Sequence, residues 1–185
     1  MNNQLFYGGA ISSVIRSSYI DASELRQVPD NQEVFIDMNT QQSLIIELLE
    51  KVEYLGEEAA KFHFEQLAEQ NDATGYTIEN IEHINVDTAA PKLPKDTKVY
   101  FIRGFQNIAK FNEKAINQVE IILALIRLEK VETDLIITLN APIQVAPNSS
   151  ENNDAVAPAV ESSFIEEIKL IVQKLEIQDW GLFGI

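Results

Sequence analysis

Hydrophobic and polar positions alternate over Gln4–Gly9 and again over Ala10–Arg16, which predicts two short strands around Gly8-Gly9, a dipeptide suited to a hairpin turn. Ser17–Pro29 reads as a short helical turn, with Asp21 three residues ahead of Glu24 in capping-box spacing and Pro29 disfavouring helix at Val28. Glu33–Met38 is a strand by composition. Beyond it, Asn39 followed by Gln42 has the spacing of a helix start, and Leu44, Ile45, Leu48, Leu49 and Val52 fall on one helical face, so a helix is expected here, ended by Gly56. A second helix is expected to begin at Glu57 and Glu58, whose charges suit a helix N-terminus, and to bury Ala60, Phe64, Leu67 and Ala68 before Asn71–Gly75 closes it.

The second half carries a different rhythm. Tyr76–Val86 alternates imperfectly and is expected to be a strand, and Ala90–Asp96 is a proline-bounded loop. From Thr97 the period of two returns, placing Val99, Phe101, Arg103 and Phe105 on one side and Tyr100 and Ile102 on the other. Val119–Leu128 is apolar on both faces, as a central strand covered from both sides must be, and Thr133–Pro142 follows as its antiparallel neighbour. The Asn-, Ser-, Ala- and Pro-rich stretch at 146–163 cannot build a core and is expected to be a mobile loop. Phe164, Ile165, Ile168, Ile171, Val172 and Leu175 then recur at helical spacing and predict a final helix packed on the sheet. The expected fold class is α/β (an α+β sandwich): a twisted, mainly antiparallel sheet flanked by helices on both faces, built as a single domain over residues 1–185.

Composition narrows the function. The chain has 185 residues and no cysteine, which excludes disulfides, thiolate zinc sites and a cysteine nucleophile, and neither a signal-peptide pattern nor a membrane-spanning run is expected. A soluble, intracellular protein is the expectation. A formal net charge of −15 repels phosphate backbones and anionic lipid, so neither nucleic acid nor membrane insertion is expected. The scattered glycines form neither a GxxxxGKS/T phosphate loop nor a GxGxxG fingerprint, and no bound nucleotide or other cofactor is expected. His63 sits in a helix pattern and His83 in a strand pattern, neither with a second histidine at metal-ligand spacing, so both read as structural imidazoles. No GxSxG elbow accompanies the serines, and Ser12 and Ser13 lie in a strand pattern. Asp30 and Glu33, in the stretch Glu24–Asp37, remain open on composition alone: a solvated turn is favoured, with acid/base work and contact with a cationic partner as the functional alternatives.

Several blocks together resemble one family. YGGAISSVI (7–15), YIDASELRQVPDNQEVFID (19–37), FHFEQLAEQND (62–72), GFQNIAKFNE (104–113) and ALIRLEKVETDLIITLNAP (124–142) are similar, in order, to the Mog-one family of Ran guanine nucleotide release factors. The resemblance implies an α/β sandwich and a non-enzymatic partner of the small GTPase Ran, in its GTP-bound or nucleotide-free form. Such a partner promotes release of the bound nucleotide and supports nuclear protein import, acting in nucleus and cytoplasm. It further implies that the acids of the VPDNQEV block, here Asp30 and Glu33, are Ran-contact residues. The stretch before the final helix departs from the family pattern. Two other classes compete: an acidic scaffold or trafficking adaptor without release activity, and a hydrolase using an acidic pair, for which nucleophile and metal signatures are lacking.

Overall fold

The computed structural model describes residues 1–109, 116–143 and 161–184. Ten strands and three helices are described, in the order β1 (Asn2–Phe6), β2 (Ile11–Ile15), β3 (Ile20–Asp21), β4 (Gln32–Ile36), β5 (Ser43–Glu50), α1 (Glu57–Gln70), β6 (Ala73–Ile84), α2 (Val86–Ala89), β7 (Lys98–Ala109), β8 (Ile116–Leu128), β9 (Thr133–Ile143), α3 (Glu161–Gln173) and β10 (Glu176–Ile177). Among the described residues a seven-stranded sheet runs β3-β4-β5-β9-β8-β7-β6, antiparallel at every pairing, and β1-β2-β10 form a three-stranded sheet. The expected mobile loop at 146–163 lies outside the described residues up to 160, and residues 161–163 belong to α3.

Strands β8 and β9 explain the layering. Ile121, Leu123 and Leu125 face one way and Ile122, Ala124 and Ile126 the other, and all six are buried. Both faces therefore need cover. On one, α1 applies Ala59, Ala60 and Phe64 to Tyr100, Ile102, Ile121, Leu123 and Leu125. On the other, α3 brings Ile168, Ile171 and Val172, Leu175 follows just past its end, and the small sheet adds Phe6, Ile11 and Ile15, against Phe101, Ile122, Ala124 and Ile137. Each fully buried aliphatic side chain of α3 contributes about 1.5–3 kcal/mol of transfer free energy, which binds the last helix to the sheet.

The helix expected from Asn39 to Gly56 is not formed, and Ser43–Glu50 within it is strand β5. Apolar residues at 44, 45, 48 and 49 satisfy a helical stripe, but the run Leu44–Leu49 equally suits a strand covered on both faces, and pairing with β4 and β9 along its length decides between them. The supposed helix start is the β4–β5 turn. Asp37 accepts the Asn39 amide at 2.9 Å through its side chain and the Gln41 amide at 2.9 Å through its carbonyl, with Gln41 at φ 61°. The helical turn over Ser17–Pro29 narrows to a 3₁₀ turn at Ala22–Glu24, capped by the Asp21 carboxylate on the Ser23 amide, and the two-residue β3 precedes it. Neither α2 nor β10 is visible in the periodicity, both being too short to show one.

Gly104 of β7 lies directly beneath the ring of Phe64. A Cβ there would press on the Thr77 carbonyl oxygen and sit 2.6 Å from Phe64 Cζ. Gly104→Ala is therefore expected to destabilise the fold by about 1–3 kcal/mol through overpacking, read as a lower denaturation midpoint at unchanged slope. A midpoint equal to that of the parent protein would show that α1 is free to shift outward.

Candidate functional site

The edge of the large sheet near β4 gathers the acidic block. Asp30 is exposed, in the turn that leads into β4. Glu33 is not in that turn: it is the second residue of β4, half-buried and paired with Ile46, on the same face as Phe35 and Leu44. Glu33 thus agrees with the strand expected over Glu33–Met38, and the solvated-turn reading of the acidic pair is corrected for it. Alternation along a strand turns it toward the packed face, where it meets the Tyr7–Gly9 turn between β1 and β2.

That turn is conformationally costly. Tyr7, Gly8 and Gly9 all have positive φ, at 52°, 66° and 97°. Glycine accepts this region freely, whereas Tyr7 is strained there by an amount on the order of 1 kcal/mol or more. Three contacts hold it. The backbone amide of Tyr7 donates to Glu33 Oε1 at 2.6 Å, and its phenol lies 2.9 Å from the Asn31 carbonyl and 3.0 Å from the Ile46 carbonyl. Burial, and then the Glu33 and Glu47 carboxylates, push the phenol above its usual pKa, so at neutral pH it remains a donor. Asn31 is fixed from the other side as well: its carbonyl accepts the Leu48 amide at 3.0 Å and its side-chain amide donates to the Leu48 carbonyl at 3.2 Å. Gln32 donates to Glu47 across the β4–β5 pair. Asp30 is consequently presented, exposed, by a turn held at its next residue. Sequence reasoning missed Tyr7; its signal is a non-glycine residue before two glycines, but nothing local indicates a partner 26 positions away.

A second polar cluster is internal. Asp134, fully buried in β9, accepts from Arg127 Nε at 2.8 Å and Nη2 at 3.0 Å, from the Val52 amide at 3.1 Å and from His63 Nε2 at 2.8 Å. Arg127 also donates to the carbonyls of Tyr54 at 2.6 Å and Val52 at 3.2 Å. His63 is buried and engaged by Asp134, whereas His83 is exposed and stacks on Tyr100 with ring centroids 4.6 Å apart. The cluster has the ingredients of acid/base chemistry, yet each of its contacts joins fold elements: β8 to β9, β9 to α1, and both to the 51–55 segment.

Comparison with known proteins bears on the acidic edge. A family model described as Ran-interacting Mog1 protein matches residues 4–142, which include every residue of that edge. The chain belongs to the Mog1 family. It is 38% identical to a Ran guanine nucleotide release factor of Danio rerio over all of both chains, and 33% identical to the nuclear import protein mog1 of Schizosaccharomyces pombe, covering 98% of this chain and 99% of that one. The crystal structure of the Saccharomyces cerevisiae Ran-binding protein Mog1p superposes with a TM-score of 0.76 at 30% identity, covering 99% of each chain. The seven-stranded antiparallel sheet with its helices is thus the Mog1 fold.

Titration of Asp134 provides a check on the internal cluster. Burial alone would raise its pKa, but the hydrogen bonds from His63, Arg127 and the Val52 amide outweigh burial and hold it below the usual value. A depressed folded-state pKa stabilises the protein above the unfolded-state value, and that stability is lost as pH falls through the folded one. Unfolding free energy is therefore expected to stay level near neutrality and to drop below about pH 4. Asp134→Asn should flatten part of that acid limb and, by leaving Arg127 without its anion, destabilise the neutral protein by about 3–5 kcal/mol. Chemical denaturation across pH measures both; an unchanged limb would remove Asp134 as the titrating group.

Proposed function

We propose that the protein binds the small GTPase Ran and promotes release of its bound guanine nucleotide, in support of nuclear protein import, and that the edge carrying Asp30 and Glu33 is its Ran-binding surface. The observation that carries this reading is the family match across the chain, which includes the acidic edge, together with relatives named Ran guanine nucleotide release factor and nuclear import protein mog1. The action proposed is that of a non-enzymatic regulator working in nucleus and cytoplasm, on Ran in its GTP-bound or nucleotide-free form. GTPases hold the β and γ phosphates with a lysine and Mg²⁺; a carboxylate brought alongside pairs with the lysine or disfavours the metal and phosphate, and nucleotide affinity falls. By reciprocity, bound nucleotide weakens this protein's grip on Ran by the same factor.

The test is to mix the purified protein with Ran carrying a fluorescent GTP analogue. Faster release is expected, and an unchanged rate would leave binding without exchange. Asp30→Lys should weaken Ran binding by about 2 kcal/mol or more, because reversal sets a cation against a cationic partner site, while the same change at Glu69 or Asp72 should matter little. If all three reversals weaken binding equally and salt abolishes the effect, the contact is diffuse steering by the net charge of −15 and the assigned edge is wrong.

A further inference from the structure

We propose that the two acids of this edge divide the labour: Asp30 is the carboxylate offered to the partner, and Glu33 is a positioning residue that holds the Tyr7–Gly9 turn, and through it the turn bearing Asp30. The proposal rests on the Ran-binding reading above. Its basis is a continuous set of contacts. Glu33 Oε1 accepts the Tyr7 amide at 2.6 Å; the Tyr7 phenol reaches the Asn31 carbonyl at 2.9 Å; and Asn31 is the residue next to Asp30. The Asn31 carbonyl is simultaneously fixed by the Leu48 amide at 3.0 Å, so the peptide between Asn31 and Gln32, one residue past Asp30, is held from two directions.

Exposure and face agree with this division. Glu33 lies half-buried on the face it shares with Phe35, and one of its carboxylate oxygens is engaged by a backbone donor of its own chain. Asp30 is exposed, ahead of the strand. A carboxylate suits Glu33 because a charged acceptor makes the stronger bond to an amide, here one belonging to a residue strained at φ 52°. An amide oxygen in the same place still accepts that hydrogen; a methyl group does not. Loss of the Glu33 acceptor and loss of the Asp30 charge therefore have different signatures in binding.

The experiment titrates Ran with Asp30→Asn, Glu33→Gln, Glu33→Ala and Tyr7→Phe variants at several salt concentrations. Asp30→Asn is expected to lower affinity tenfold or more, on the order seen for a paired interface charge, and to make the salt dependence shallower. Glu33→Gln should stay within about threefold of the parent affinity with its salt dependence unchanged, because the acceptor survives. Glu33→Ala and Tyr7→Phe should each weaken binding without altering the salt dependence. Equal losses for Glu33→Gln and Asp30→Asn, with the salt dependence reduced alike, would place the Glu33 charge in the interface and overturn the proposal. The Ran-free protein supplies an independent arm: amide exchange at Tyr7 and the NMR shifts of Asp30 and Asn31 should change in Glu33→Ala and remain near native in Glu33→Gln. Unaltered Asp30 and Asn31 signals in Glu33→Ala would overturn the positioning role. A parent protein that fails to bind Ran sinks the partner assignment alone, since this second arm still decides the first. If Glu33→Ala does not fold, Glu33→Gln and Tyr7→Phe carry the test.

Discussion

Strands β8 and β9 are apolar on both faces, and the architecture follows from the need to cover them. One helix cannot do so, and α1 closes only the face of Tyr100, Ile102 and Leu123. The opposite face takes α3 together with the three-stranded sheet, whose last strand, β10, follows α3 in the chain and pairs with β2 near the beginning. N-terminal and C-terminal segments are thereby joined over the same core. The Tyr7–Gly9 turn is part of that cover, and its geometry follows from the requirement that β1 and β2 pair while Phe6 and Ile11 both point inward.

Much of this was legible in the residues. The all-apolar β8, the alternation of β7 and the helical stripes of α1 and α3 each match a single period over a long enough run to exclude the other. β5 was not legible, because Leu44, Ile45, Leu48 and Leu49 satisfy both periods, and only the strands on either side distinguish them. At the candidate site, Asp30 and Glu33 were singled out by family resemblance rather than by physics, since a turn rich in acids is unremarkable in so anionic a chain. Their different surroundings lay beyond reach. A strand position read from sequence does not reveal which backbone amide will arrive from a turn 26 residues earlier.

The buried cluster at Asp134 illustrates the same limit from the other direction. His63, Arg127 and Asp134 are unexceptional in the sequence, yet the fold unites them with two segments of backbone around one carboxylate. A buried ion pair of this kind adds little net stability relative to apolar packing, but it penalises any arrangement in which one member lacks its partners. It thus specifies where α1 and the 51–55 segment sit against the ends of β8 and β9.

The sheet edges set how other molecules meet this protein. β6 spans twelve residues at one edge, a length that would template a foreign strand, but its register against β7 shifts between Ala73 and Gly75 and again between Ile78 and Asn80. Such irregularities break the even spacing of free amides and carbonyls that strand addition needs. The other edge, β3, is only two residues long. With neither border offering a regular ladder, association through the main chain is disfavoured at both ends of the sheet. On this sheet, recognition passes to side chains at strand ends and turns, where charge and shape select the partner and a generic extended peptide finds no regular ladder.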